Sequence, residues 1–278
     1  MTNIIFFGTT KYSKIILDSL LSNGQFDVKM TISPSDLDNP ELVNKIKLTS
    51  PVVGVVVDFG RLIPKNIIDL FPKGIINLHP SLLPKHRGAI PAVGTILDAD
   101  KISGLSVIII NDKFDSGAIL TQEKCEVLPN DIPATLYDRL FTLGARVLTK
   151  TISEYLEGKV TPTPQPASNF PYEKRLTKES GRIEWEKSDE YLERFVRAMT
   201  PWPGAWTTVK EISEFVVRAD RRVRPPASPS VNGTTHRSSH TTKILRAKLN
   251  SESKLEILEI QLEGKKPISW AQFKAGHS

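Results

Sequence analysis

Ile4-Ile-Phe-Phe-Gly-Thr-Thr10 is an apolar run of strand length that stops at a glycine and two threonines, after which Ile15, Ile16, Leu20 and Leu21 recur at helical spacing. The stretch predicts a strand, a tight turn and an amphipathic helix. Further short apolar, β-branched runs at Phe26–Ser33, Val52–Val57, Gly74–Leu78 and Leu105–Ile110 alternate with helix-like segments. That pattern predicts a mostly parallel sheet covered by helices on both faces, because only strands buried on both sides are apolar throughout. The first half is therefore expected to be a Rossmann-like α/β domain. Asp131-Ile-Pro133 supplies a cap and a first-turn proline, and Leu136, Leu140, Leu143 and Val147 mark one face of a long closing helix that reaches Leu156.

Pro162, Pro164, Pro166 and Pro171 fall in one short stretch, which predicts an extended linker and the division 1–160, 161–177 and 178–278. Beyond it, Ser188 followed by Tyr191, Leu192, Phe195, Val196 and Met199 reads as a capped amphipathic helix stopped by Pro201 and Pro203. Strand-like runs at Trp206–Val209, Glu214–Val217, Lys243–Leu249 and Leu255–Leu262 predict a small, OB-like β-barrel. Pro225–Thr242 is polar, rich in turn residues and nearly devoid of apolar side chains, and reads as a mobile insertion. Its His236 and His240 lack a third ligand, so no metal is expected.

A chain of 278 residues can bury two cores. Its single cysteine, Cys125, excludes a disulfide framework and a multi-cysteine zinc site and suggests a reducing compartment. Met1-Thr-Asn-Ile-Ile-Phe-Phe-Gly8 has no basic leader, and no run approaches the roughly 20 apolar residues of a membrane span, so a soluble, cytoplasmic monomer is expected. Net charge is +6, and all the excess lies late: residues 1–170 carry 17 basic and 17 acidic side chains, residues 171–278 carry 20 and 14. Arg218, Arg221, Arg222, Arg224, Arg237, Lys243, Arg246 and Lys248 are offset only by Asp220, the footprint of a phosphate-backbone partner or of a solvated basic face.

Two loops stand out where strands are expected to end: Asn77-Leu-His-Pro-Ser-Leu-Leu-Pro84 and Asp112-Lys-Phe-Asp-Ser-Gly117. An amide, an imidazole and a carboxylate at the strand ends of one sheet suit acyl-type chemistry. Gly8-Thr-Thr10 is not a dinucleotide fingerprint, so no nicotinamide is assigned. Ser81 lacks the G-x-S-x-G elbow of a serine nucleophile. The run Gly74–Ala89, with Phe114-Asp-Ser-Gly117 behind it, resembles the tetrahydrofolate-dependent formyltransferases. Arg197–Trp206 and Leu262–Trp270 are similar to the members of that family that act on methionyl-tRNA.

The resemblance implies 10-formyltetrahydrofolate as formyl donor, initiator methionyl-tRNA as acceptor, and a tRNA-binding role for the second domain. It implies Asn77, His79 and Asp115 as catalytic residues. It places the folate between the His79–Gly88 and Ile110–Gly117 loops, with Ser81, Leu82, Leu83, Pro84, Gly117 and Phe59 as contacts, although Phe59 reads equally well as core. Formyl transfer passes through an oxyanion, which needs fixed donors. Strand alternation turns Asn77 and His79 to one face, where both are expected to donate to that oxygen while Asp115 favours protonated His79. An amino-sugar nucleotide as acceptor, and an RNA-binding homologue without catalysis, are the alternatives. Members of the family usually carry a basic loop, a helix and a strand after the second strand, whereas Ser33–Pro40 here leads through one short helix to Val52.

Overall fold

Strand β1 (Thr2–Phe7) lies inside a six-stranded sheet with β2 (Phe26–Ile32), β3 (Val53–Val57), β4 (Ile75–His79), β5 (Ile102–Ile109) and β6 (Ala118–Glu126), in the order β2-β1-β3-β4-β5-β6. The structure is a computed structural model that describes residues 1–219 and 241–277, in two units, Met1–Arg175 and Leu176–Ser278. Pairings β1–β2, β1–β3 and β3–β4 are parallel; β4–β5 and β5–β6 are antiparallel.

Ile4, Ile5, Phe6 and Phe7 are all fully buried, and alternation sends them to two different cores. Ile4 and Phe6 join Val55, Ile76 and Leu78 against Ile16 and Leu20 of α1 (Lys11–Ser22) and Leu148 and Ile152 of α5 (Pro133–Leu156). Ile5 and Phe7 join Val56 and Ile75 against Leu42 and Ile46 of α2 (Leu42–Leu48) and Ile67 of α3 (Lys65–Ile68). At roughly 1.5–3 kcal/mol for each buried side chain, β1 contributes to both layers and fixes which residues of its neighbours face which way. Thr10 caps α1 through a 3.1 Å bond from the Ser13 N–H to its Oγ1. Helix α4 (Pro91–Leu97) begins at a first-turn proline.

Strand β6 was not among the expected strands. Its outer half, Thr121-Gln-Glu-Lys124, is largely exposed, so it carries no apolar alternation to betray it; pairing with β5 alone defines it. The proline-rich stretch also differs from a free linker. Thr163 exchanges two 2.8 Å bonds with Ile119, Glu173 pairs with Arg87 and Ala89 at 2.7 and 2.8 Å, and Arg175 reaches the Gly60 carbonyl at 2.6 Å. Backbone hydrogen bonding to neighbours, which composition does not encode, places residues 161–175 with the first unit.

In the second unit, α6 (Asp189–Ala198) is capped by Ser188, whose Oγ accepts from the Tyr191 N–H at 3.2 Å. Strands β7 (Ala205–Thr208), β8 (Thr241–Leu249), β9 (Leu255–Leu262) and β10 (Ile268–Ser269) form an antiparallel sheet, with α7 (Val209–Ala219) after β7 and α8 (Trp270–His277) at the end. Among the described residues the strands of this unit form one antiparallel sheet in the order β10-β9-β8-β7. The strand expected at Glu214–Val217 is instead part of α7. Thr208 and Glu211 form a reciprocal capping box: the Thr208 N–H donates to the Glu211 carboxylate at 3.0 Å and the Glu211 N–H to Thr208 Oγ1 at 3.2 Å. The β-branched pair Val216-Val217 is outweighed by that start signal and by Ile212 and Phe215 at helical spacing. Residues 220–240, including Asp220, Arg221, Arg222, Arg224, His236, Arg237, His240 and most of the expected insertion, lie outside the described residues.

Candidate active site

Asn77 and His79 close β4 on the face that also carries Ile75, while Ile76 and Leu78 turn into the opposite core. Asn77 is half-buried, and its side-chain amide makes no hydrogen bond to the described residues. It is therefore a donor at the sheet's end with its capacity unspent. His79 is buried at 4% exposure, with Nε2 2.9 Å from the His86 carbonyl and Nδ1 3.4 Å from Asp115 Oδ1. A carbonyl can only accept, so Nε2 carries a proton; in the neutral ring Nδ1 would then turn a lone pair to the Asp115 carboxylate, a contact that a proton on Nδ1 relieves. The expectation that His79 joins Asn77 as an oxyanion donor meets this arrangement: the Nε2 proton is already given to the chain.

Asp115 stands on the loop between β5 and β6, at a left-handed φ of 51°. Its Oδ2 accepts from the Gly88 N–H at 2.9 Å. Burial works against the charged form, yet the His79 ring, the Gly88 N–H and the nearby Arg87 outweigh it and hold the Asp115 pKa below the ordinary aspartate value. Gln165 ties the loop down, donating to the Asp115 and Gly117 carbonyls at 2.8 Å each, while its own oxygen accepts from Arg87. Gly117 is needed for close approach: a Cβ there would sit 1.7 Å from the Ile109 carbonyl oxygen.

The residues expected around the folate divide. Ser81 is fully buried and spends its hydroxyl on the Lys85 carbonyl at 2.7 Å. Leu83 is buried, its N–H bonded to Ser106 Oγ at 2.9 Å and its carbonyl to Gln122 at 2.9 Å. Leu82 packs over Gly104, and Pro84 is half-buried. These contacts hold the turn's shape. Phe59 is core, packed edge-on against Phe7 at 5.8 Å, the second of the two readings its sequence left open.

The carboxylates that gather around His86 and Lys85 escaped the sequence reading. His86 is buried between two carboxylates, Nδ1 2.8 Å from Glu173 Oε1 and Nε2 2.8 Å from Asp100 Oδ2. Lys85 lies 2.7 Å from Asp100 and 3.3 Å from Asp98. His86, Asp98 and Asp100 thus offer three ligand atoms close together, but Lys85 already brings a cation to both carboxylates. Glu173 and Asp100 are 73 residues apart, and no local pattern announces that they meet.

A profile described as Formyl transferase matches residues 11–152, and one described as Formyl transferase, C-terminal domain, matches residues 175–278. The chain belongs to the formyl transferase family. Methionyl-tRNA formyltransferase of Chloroflexus aurantiacus is 32% identical to this formyl transferase over 250 residues, covering 88% of this chain and 78% of that protein. Methionyl-tRNA formyltransferase of Thermodesulfovibrio yellowstonii is 29% identical over 309 positions that take in 99% of this chain and 96% of the relative. A formyl transferase of 278 residues leaves at least 31 of those positions unfilled. In structure, methionyl-tRNA formyltransferase from Clostridium thermocellum matches 94% of this chain and 99% of its own with a TM-score of 0.64 at 17% identity, a likeness of fold.

Proposed function

We propose that this formyl transferase moves the formyl group of 10-formyltetrahydrofolate onto the methionine amino group of initiator methionyl-tRNA. The observation that carries the chemistry is the meeting of an uncommitted amide, Asn77, with a His79 whose Nδ1 faces an ionised Asp115. The relatives at about a third identity over most of the chain support the acceptor.

The amine nitrogen attacks the formyl carbon; the new C–N bond pushes the carbonyl electrons onto oxygen, and the Asn77 N–H stabilises that oxyanion. His79 Nδ1 takes the ammonium proton, and the Asp115 carboxylate stabilises the resulting imidazolium. Collapse breaks the bond between the formyl carbon and the folate N10, the electron pair leaves on N10, and His79 returns the proton there. The products are formyl-methionyl-tRNA and tetrahydrofolate. An α-amino group titrates near ~8, so it is already partly neutral at physiological pH and a modest base suffices. The loops of residues 80–88 and 110–117 hold the folate through their backbone. The second unit carries the tRNA, with Lys243, Arg246 and Lys248 exposed along β8. The protein acts as a cytoplasmic monomer; no described helix is long and apolar enough to cross a membrane.

Incubation of purified protein with 10-formyltetrahydrofolate and methionine-charged initiator tRNA, elongator methionyl-tRNA or amino-sugar nucleotides decides the acceptor. Formyl-methionine on the initiator alone is expected. Transfer only to amino sugars, or none from a folded protein that binds folate, would overturn this reading.

A further inference from the structure

We infer that His86 is a positioning residue for formyl transfer: its ring, clamped between Asp100 and Glu173, fixes the two backbone groups that orient the His79–Asp115 pair. Those groups are its own carbonyl, 2.9 Å from His79 Nε2, and the Gly88 N–H two residues on, 2.9 Å from Asp115 Oδ2. The inference rests on the reading of Asn77, His79 and Asp115 as the reacting set.

The clamp is specific in its hydrogen count. Both ring nitrogens meet carboxylate oxygens at 2.8 Å, and neither oxygen donates when ionised. A neutral imidazole has one N–H and would leave one contact as lone pair against lone pair; the imidazolium satisfies both. Burial opposes the charge, but Glu173 and Asp100 outweigh it and raise the His86 pKa above its ordinary value. The other charges facing the site are Lys85, paired with Asp100 and Asp98, and Arg87, turned to Gln165; the Tyr137 hydroxyl is buried near enough to Glu173 to feel its charge.

The surrounding backbone is shaped to this pair. Gly94, inside α4, faces it so closely that a Cβ would lie 2.0 Å from Glu173 Oε1 and 2.6 Å from His86 Nδ1. Glu173 is also held by its main chain, which bonds to Arg87 and Ala89 on either side of Gly88. Side chain and main chain of one residue thus grip the loop from both sides, at the segment whose N–H and carbonyl touch the catalytic groups. His86 itself adopts a left-handed φ of 56°, a conformation that nothing local requires of a histidine.

The sign follows from the direction of the shift. A raised folded-state pKa means the clamp is intact below the ordinary histidine value of ~6.5 and is lost as pH rises through the higher folded value. Glu173→Gln removes the need for the second proton, because the Gln amide can donate to a neutral Nδ1 while Nε2–H still donates to Asp100.

The test uses the full chain. Side-chain nitrogen NMR on its five histidines reads the protonation of His86 and the tautomer of His79 without any acceptor, so it stands even if the acceptor assignment fails. The wild type should keep both His86 N–H protons at a pH where free histidine is neutral, with His79 protonated on Nε2. Glu173→Gln should hold His86 neutral at that pH with the His79 tautomer unchanged, and should remove an alkaline fall in kcat that the wild type shows. His86→Leu should lose the single His79 tautomer and lower kcat by about 10²-fold with little change in the KM for the formyl donor, the cost of misplacing reacting groups by about 1 Å. An unaltered His79 signal in folded His86→Leu, or an identical alkaline limb in Glu173→Gln and wild type, would overturn the proposal. Because Glu173→Gln is isosteric, it decides the matter even if His86→Leu does not fold.

Discussion

Beside the end of β4, His79 and His86 are buried, Asp115 is half-buried and each ionisable atom faces a partner, whereas along β8 Lys243, Arg246 and Lys248 stand exposed. Of the three, Lys248 has an ion pair among the described residues, with Glu256 at 3.2 Å, and exposed pairs of that kind contribute about 0–1 kcal/mol. The contrast teaches where each kind of work is done. Removal from water makes a hydrogen bond directional and a misplaced proton costly, which suits reacting groups. Exposure keeps charges free to exchange counterions for phosphates, which suits a large polyanionic acceptor.

The largest effect should come from the buried end. Asn77→Ala is expected to lower kcat by about 10²–10³ in single-turnover formylation, the cost of removing one oxyanion donor, and His79→Ala by about 10²–10⁴, the cost of losing a positioned base. Wild-type turnover in a folded His79→Ala protein would dissolve the contrast. Next, Gly94→Ala ordinarily gains about 1 kcal/mol in a helix; here the Cβ must displace Glu173, so a net loss of about 1–3 kcal/mol is expected in urea unfolding. An alanine that raised stability would show that the clamp gives way freely.

Acid should act on the same cluster. Because the Asp115 pKa is lowered on folding, its stabilisation is complete above the ordinary aspartate value of ~3.9 and is lost as pH falls through the folded value. Unfolding free energies measured between neutral pH and about pH 3 should therefore fall less for Asp115→Asn than for wild type; parallel curves would remove Asp115 from the buried charge balance. The smallest effect belongs to β8. Lys243→Ala and Arg246→Ala should leave kcat unchanged, raise the KM for tRNA and each reduce the slope of log affinity against log salt by about 1. An unchanged slope would mean that the exposed face meets no phosphate.

Much of this was legible because it is local. The apolar run Ile4–Phe7, the cap at Ser188 and the Pro133 start of α5 depend on residues within one turn or strand, and the structure places them as read. Asn77 and His79 share a face because a strand has period two. The Thr208–Glu211 box that makes α7 a helix was also local, and a strand was read over it because two adjacent valines look β-like.

What the sequence by itself determined, then, is the sheet with two apolar faces, the order of its elements, and the residue types gathered at its end. Tertiary structure alone decided that Phe59 is core, that Ser81 serves the turn, that residues 161–175 bind to the first unit, and that Asp100 and Glu173 meet on His86. The physical reason is range. Periodicity and caps arise from backbone geometry over a few residues. The proton on His79 Nε2 and the charge on His86 depend on a carbonyl and two carboxylates that lie within 3 Å only after the chain has closed on itself.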